Sequence, residues 1–298
     1  MIYRSILLVE EIQTHKLQVI KLFKKEISPK AIENEAQLLL SLSHPRVIEC
    51  LGYYPRVLIP LPVDVNAPDF NFPCDCYSAL ALEYAPNGDL LQLVTSLGYL
   101  PEEIARACFQ QIVDAVEYLH NDEICRLDLK PDNILIDENF SLRLCDFGTA
   151  LRSHVDSLVK GTAGTVQYFS PEMLEESNYN GFQADVFGLG VVLFTMVSGI
   201  LPFAAAKPSD AIYGLIVEEK YVDFWKIHEG LKGQRQHFYS ADFRDLIQGM
   251  LEVKPEKRLS IKEIKAHQWL KESTVGEKEL SLYIRTVLEK QMAMNSQL

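Results

Sequence analysis

Over the first hundred residues the apolar positions fall into short alternating or continuous runs, and beyond residue 100 they recur at helical spacing. Residues 5–10 and 16–23 are rich in Ile, Leu and Val and predict two strands. Leu38, Leu39 and Leu42 then lie on one face of a predicted helix. Between residues 53 and 76 five prolines, Pro55, Pro60, Pro62, Pro68 and Pro73, break any regular pattern and predict an irregular insertion between strands. Leu80, Ala81 and Leu82 predict a further strand, closed by the turn Pro86-Asn87-Gly88. From Pro101 the texture becomes helical. Proline suits a first turn, Glu102 and Glu103 complement the helix dipole, and Ile104, Cys108, Ile112, Ala115, Val116 and Leu119 form one buried face. The apolar run from Val186 to Val197 is too short to span a bilayer and predicts a buried helix. Ser260 with Glu263, and Thr274 with Glu277, have capping-box spacing. The second pair would open a tail helix with Leu280, Ile284, Val287 and Leu288 on one face.

A chain of 298 residues has room for one large domain or two lobes. With 48% hydrophobic and 23% charged residues it is composed like an ordinary soluble globule. A net charge of −12 argues against a phosphate-backbone binder, so no nucleic-acid partner is expected. Six cysteines are scattered without a C-x-x-C pair, and the closest couple, Cys74 and Cys76, has no neighbouring His to complete a zinc set. Reduced thiols, no signal-like leader, no membrane span and a cytoplasmic location are the expectations.

The chemistry concentrates between residues 124 and 148. Asp128, Lys130 and Asn133 stand at offsets of two and five, and Asn133 runs directly into the apolar stretch Ile134-Leu135-Ile136. A second apolar run ends in Leu144-Cys145-Asp146-Phe147-Gly148. Two short strands that each deliver a polar group at one end gather oxygen ligands for a cation. The whole spacing resembles the catalytic loop and the Asp-Phe-Gly metal site of eukaryotic-type protein kinases of the Ser/Thr class.

That resemblance implies an α+β, two-lobed fold: a truncated β-rich small lobe over residues 1–85 with the insertion at about 53–76, a mainly helical large lobe over 86–270, and a helical tail over 271–298. It implies ATP and Mg²⁺ as cofactors and protein substrates as partners, with a possible regulatory partner for the tail. Asp128 would accept the substrate hydroxyl proton, Lys130 would neutralise the transferring phosphoryl group, and Asn133 and Asp146 would hold Mg²⁺. Gln18-Val19-Ile20-Lys21 is similar to the family's Val-Ala-Ile-Lys. Lys21 would bind the α/β phosphates, held by Glu35, with Glu33 the competing acid. Val19, Glu83, Ala85, Asp89 and Leu135 would line the nucleotide site, and Leu82 would be its gatekeeper. Glu172 would pair with Arg258, and Asp185 would hold the catalytic-loop backbone. Lys130 together with Thr165 points to Ser/Thr acceptors.

Three departures stand out. No glycine precedes Gly52, so the family's glycine-rich phosphate loop has no counterpart ahead of Lys21. The family's His-Arg-Asp reads Arg126-Leu127-Asp128, and Arg126 is expected to stack on Phe147 in place of the histidine. Leu127 offers no donor for a phosphate on the activation segment. The missing glycine loop and Arg126 motivate the alternative of a pseudokinase acting as a signalling scaffold.

Overall fold

The computed structural model describes residues 4–23, 27–57, 77–154, 157–161, 163–175, 178–232 and 238–295. The chain divides into two compact units, Met1–Tyr84 and Ala85–Leu298.

The first unit is built on one antiparallel four-stranded sheet of order β1-β2-β4-β3. Strand β1 (Arg4–Glu10) turns through His15 into β2 (Leu17–Phe23), with Ile6 opposite Lys21 and Leu8 opposite Val19. Helix α1 (Pro29–Ser41) starts with proline in its first turn and buries Ile32, Glu35, Ala36, Leu38 and Leu39. Strand β3 (Cys50–Val57) lies at the edge, and β4 (Tyr77–Glu83) pairs with both β2 and β3. The sheet therefore continues to Val57 and takes in Tyr53 to Val57, the start of the stretch expected to be irregular. Pro55 is tolerated there because it sits on an edge strand where the register shifts between Tyr54 and Val57. Residues 58–76, with Cys74 and Cys76, lie outside the described residues.

The second unit is mainly helical. Helices α2 (Leu90–Leu97) and α3 (Glu102–Asn121) lead into strand β5 (Ile124–Cys125) and the hairpin β6 (Ile134–Ile136) and β7 (Leu142–Leu144). Strand β8 (Leu151–Arg152) pairs with β5; β9 (Val159–Lys160) precedes α4 (Pro171–Glu175) and pairs with β10 (Asn178–Tyr179). Helix α5 (Gly181–Ser198) follows, then α6 (Tyr213–Val217), α7 (Tyr221–Leu231), α8 (Ala241–Met250), α9 (Ile261–Ala266), α10 (Gln268–Lys271) and α11 (Glu277–Asn295).

Helix α5 is long and apolar enough to cross a membrane, but 94% of it is buried inside the protein, so it forms the core. Ser260 closes its capping box with Glu263. Thr274 does not cap the tail: its hydroxyl donates to Glu103 O (3.0 Å), a longer-range bond that ties the approach to α11 onto α3. Helix α11 itself buries Leu280 and Ile284 and packs on α2 and α3 of its own chain.

Phe194 of α5 centres an aromatic cluster with Phe224, Trp225, His228, Tyr239 and Phe243, all with ring centroids 4.7–6.5 Å away. His228 is fully buried in this cluster; its Nε2–H donates to Pro202 O (3.1 Å) and its Nδ1 has no partner. Burial pushes its pKa from 6.5 down to about 4, helped by nearby Lys232. Between these values the unfolded chain takes up a proton that the folded chain refuses, so stability must fall as pH drops through this window. We expect about 2 kcal/mol to be lost from this group between pH 7.5 and 5. Urea midpoints of the wild type and His228→Gln at both pH values test this, and equal pH dependence in the two proteins would refute it.

Candidate active site

The loop after β5 is anchored from below by Asp185 on α5. Its Oδ1 accepts from Leu127 N–H (2.7 Å), and its Oδ2 accepts from Arg126 N–H (2.7 Å) and lies 2.9 Å from His120 Nε2. Leu127 is held at φ +63°, a left-handed conformation that costs a β-carbon-bearing residue roughly 1 kcal/mol or more. Asp128 follows, largely buried, with both carboxylate oxygens engaged. Oδ1 accepts from Thr165 N–H (3.0 Å); Oδ2 accepts from Asn133 Nδ2 (3.0 Å) and lies 3.0 Å from Lys130 Nζ. Lys130 also donates to Thr165 Oγ1 (2.6 Å). Asp128, Lys130, Asn133 and Thr165 thus form one closed network.

A tight approach completes it. Gly164 has φ +135°, and a β-carbon there would stand 2.6 Å from Asp128 Oδ1. Sequence spacing alone did not mark this glycine as part of the site; its place in Gly-Thr-Ala-Gly-Thr was visible, its contact with the carboxylate was not.

The β6–β7 hairpin brings the two proposed metal ligands together. Cys145 N–H donates to Asn133 O (2.9 Å), and Asp146 follows at φ +57° before a 3₁₀ turn over Phe147–Thr149. Arg126 reaches this turn. Its guanidinium lies 5.0 Å from the Phe147 ring centre and donates to Cys145 O (2.5 Å) and Thr149 Oγ1 (3.1 Å).

Leu127 points elsewhere, into an apolar cluster with Cys125, Val159, Phe169, Met173, Tyr179, Phe182 and Ala184, against which Leu151 and Leu174 pack. Most of these residues belong to the segment following Gly148. Beyond them, Glu172 meets Arg258 in a buried two-bond ion pair (2.8 and 3.1 Å). Ser157 is exposed, and Thr162 lies outside the described residues.

Asp89 caps α2 by accepting from Gln92 N–H (2.8 Å) and forms a bridge with Leu135 of β6. Burial raises its pKa, with Asp132 adding to the effect. In the first unit Lys21 pairs with Glu35, and both are buried. Glu33 instead accepts from Gln37 Nε2 (3.3 Å). Val19 stands opposite Leu82, and Glu83 N–H donates to Glu49 O (3.0 Å). Glu83 and Ala85 fall on either side of the boundary between the two units.

The family profile described as a protein kinase domain matches residues 3–270. The chain belongs to the protein kinase family. Serine/threonine-protein kinase SBK1 of Danio rerio is 32% identical over 91% of this chain and 66% of its own length. A putative sperm motility kinase W of Mus musculus is 34% identical over 87% of this chain and 46% of its own. The serine/threonine protein kinase OSK3 of Oryza sativa subsp. indica is 37% identical over 66% of this chain and 36% of its own. The kinase chain described here thus spans between 36% and 66% of these relatives. Helix α11 lies beyond the matched residues.

Gly164→Ala should push the Asp128 carboxylate out of its network and strain the backbone, lowering phosphotransfer at least about tenfold. Gly161→Ala is the control: Gly161 has φ +79°, but no atom stands within 4 Å of the place its β-carbon would take, so only strain is added. Equal activity of Gly164→Ala and Gly161→Ala, assayed with a generic basic protein, would refute the contact's role.

Proposed function

We propose that this kinase is catalytically active and transfers the ATP γ-phosphate to Ser or Thr hydroxyls of protein substrates. The observation that carries the reading is the Asp128–Lys130–Asn133–Thr165 network, in which the Lys130 ammonium and the Asn133 amide each stand 3.0 Å from Asp128 Oδ2. A scaffold has no physical need to gather these groups around a buried Asp128.

The residues present suit Mg²⁺ and ATP, which protein kinases use generally. Asn133 spends its amide N–H groups on Asp128 O and Oδ2 (both 3.0 Å), leaving its carbonyl oxygen for a cation. Asp146 supplies a carboxylate one hairpin bond away. Two hard-oxygen ligands are enough for Mg²⁺, which retains waters and takes phosphate oxygens. Bound Mg·ATP would supply the phosphoryl donor and neutralise its charge. Asp128 orients the acceptor hydroxyl and takes its proton; Lys130 offsets charge on the phosphoryl oxygens. Lys21, kept in place by Glu35, binds the α/β phosphates. Val19, Glu83, Ala85, Asp89 and Leu135 are the proposed nucleotide-contact residues. Thr165, bonded to Lys130, is the feature that favours Ser/Thr acceptors.

The scaffold alternative rests on the missing glycine loop ahead of Lys21 and on Arg126. Asp128→Asn decides between them: it should leave folding and nucleotide binding nearly unchanged and reduce phosphotransfer by at least about 10². Equal rates in the two proteins would favour the scaffold.

The apolar packing of Leu127 bears on control. Leu127 packs the segment after Gly148 onto the catalytic loop, so activity should be largely independent of phosphorylation at Ser157 or Thr162. Phosphatase-treated and untreated enzyme should differ by less than about tenfold, as should Ser157→Ala and Thr162→Ala. A larger loss in the treated enzyme, reproduced by either alanine, would overturn this.

A further inference from the structure

Helix α11 is docked by only part of its circumference. Leu280 and Ile284 are buried in the protein's own core, and Ser281 and Arg285 reach the β6–β7 turn, at Asn139 O (3.0 Å) and the Phe140 ring (5.0 Å). Glu279, Leu282, Tyr283, Thr286, Val287 and Lys290 recur at steps of three and four and form a stripe along another side. With Ser96 and Leu97 at the end of α2, this stripe lines an open groove of about 780 Å³. Leu282 is 63% exposed, and Tyr283 and Val287 are half-buried. At 1.5 Å per residue the stripe runs for roughly 16 Å, apolar in the middle with a charge at each end.

The stripe is self-complementary. About a midpoint between Ile284 and Arg285, Glu279 is matched by Lys290, Leu282 by Val287 and Tyr283 by Thr286. A second copy of the helix, laid antiparallel with a two-fold axis through that midpoint, sets acid against base at both ends and apolar against apolar between them. Self-complementarity of this kind is what an isologous two-fold contact requires. Neither Glu279 nor Lys290 enters an ion pair among the described residues, although Glu279 Oε2 accepts from Gly276 N–H (3.2 Å). The Thr286 hydroxyl already donates to Leu282 O (2.8 Å), so covering it strands no donor. A small amphiphile or an unrelated helix has no reason to match a charge that inverts about the middle of the groove. A second copy matches it by symmetry.

We propose that this face of α11 is the contact of a homodimer, in which two copies of the helix pack antiparallel about that axis and each Glu279 pairs with the partner's Lys290. The proposal does not rest on the assignment of catalytic activity. The side of α11 that meets the β6–β7 turn stays in place, so the dimer braces the helix that supports that turn. The contact is short and lies at the low end of protein–protein interfaces, and a dissociation constant of roughly 10–100 μM is expected. A net charge of −12 on each copy opposes association. In 0.15 M salt the screening length of about 8 Å removes most of this long-range repulsion and leaves pairs in contact.

Sedimentation equilibrium of the full chain from about 1 to 300 μM tests this, and the mass should rise from monomer to dimer and no further. Leu282→Arg should raise the dissociation constant at least about tenfold. Glu279→Lys and Lys290→Glu each set like charges opposite one another at both ends of the contact, and each should weaken the dimer at least about fivefold. The first makes the net charge less negative and the second more so, so a non-specific charge effect would move them in opposite directions. Combined in one chain, the two substitutions restore every facing pair and should restore wild-type association; a parallel pairing would show neither the loss nor the rescue. A chain that stays monomeric at the highest concentration overturns the proposal, as does a dimer that Leu282→Arg leaves unchanged or that the double variant fails to restore. A monomer that carries a stoichiometric amphiphile in native mass spectra, lost in Leu282→Arg, overturns it in favour of a ligand groove. All three residues are exposed, so unfolding midpoints should stay at the wild-type value. Should Glu279→Lys fray the first turn by releasing Gly276 N–H, Leu282→Arg and Lys290→Glu still decide, and unchanged association in both overturns the proposal.

Discussion

The catalytic loop depends on one buried carboxylate. Asp185 is 1% exposed and uses both oxygens, taking the N–H groups of two consecutive loop residues and facing His120. Charge-assisted bonds of this length are about twice as strong as neutral ones, and an ionised carboxylate this deep cannot be left short of donors. Because Asp185 belongs to α5, the most buried helix, it transfers the rigidity of the core to the loop. From there the chain of contacts runs outward: Asp128 to Asn133, Lys130 and Thr165, and through Thr165 to the segment that follows Gly148.

Strand β5 ends at Cys125, and with Leu127 in a left-handed conformation Arg126 and Leu127 reach two different targets. Arg126 turns to the Asp-Phe-Gly turn, Leu127 to the apolar residues of the later segment. The family resemblance would have put a histidine and an arginine here, one packing under phenylalanine and one awaiting a phosphate. In this kinase the cation has moved one place earlier, to the phenylalanine side, and the later segment is held by packing. The Cys145–Thr149 turn and the later segment are thus each held by contacts different from those the family pattern implies. Such contacts do not depend on modification, and apolar packing is insensitive to salt in a way that a phosphate–arginine pair is not.

The sequence made elements legible wherever period or punctuation was strong. The helical face from Ile104 to Leu119, the buried run in α5 and the Ser260 capping box all rest on local rules that tertiary contacts reinforced. Local rules failed where a longer-range partner competed. Thr274 had the spacing of a cap but found Glu103 O, and Pro55 had the look of a loop but lies on an edge strand that needs no N–H from it. The motif named Asp128, Lys130 and Asn133, and these residues do meet. It could not name Gly164 or Thr149, because their roles consist of contacts across 36 and 23 residues of chain with no periodic signature. The distance to His44-Pro45 favoured Glu35 over Glu33 as the partner of Lys21, and Glu35 is the acid that pairs with it.

Backbone strain shows how these contacts are distributed. Six non-glycine residues among those described have positive φ, and four of them, Glu123, Leu127, Phe140 and Asp146, fall within the stretch that builds the site. Each is over-determined by partners that the rest of the chain supplies. Glu123 O accepts from Ser153 N–H (2.8 Å), and Leu127 is pinned by Asp185 and its cluster. Asp137 accepts from the N–H groups on both sides of Phe140, while Arg285 of α11 stacks on the Phe140 ring (5.0 Å). Ser281 adds a hydrogen bond from the same helix to Asn139 O (3.0 Å). The tail helix, outside the matched kinase domain, is therefore part of what keeps the β6–β7 turn in shape, and that hairpin carries Asn133 at one end and Asp146 at the other. Strain of this kind persists only where surrounding structure fixes it. Its concentration between residues 123 and 146 coincides with the stretch that carries Asp128, Asn133 and Asp146, and Asp185 and α11 each contact a different strained residue there.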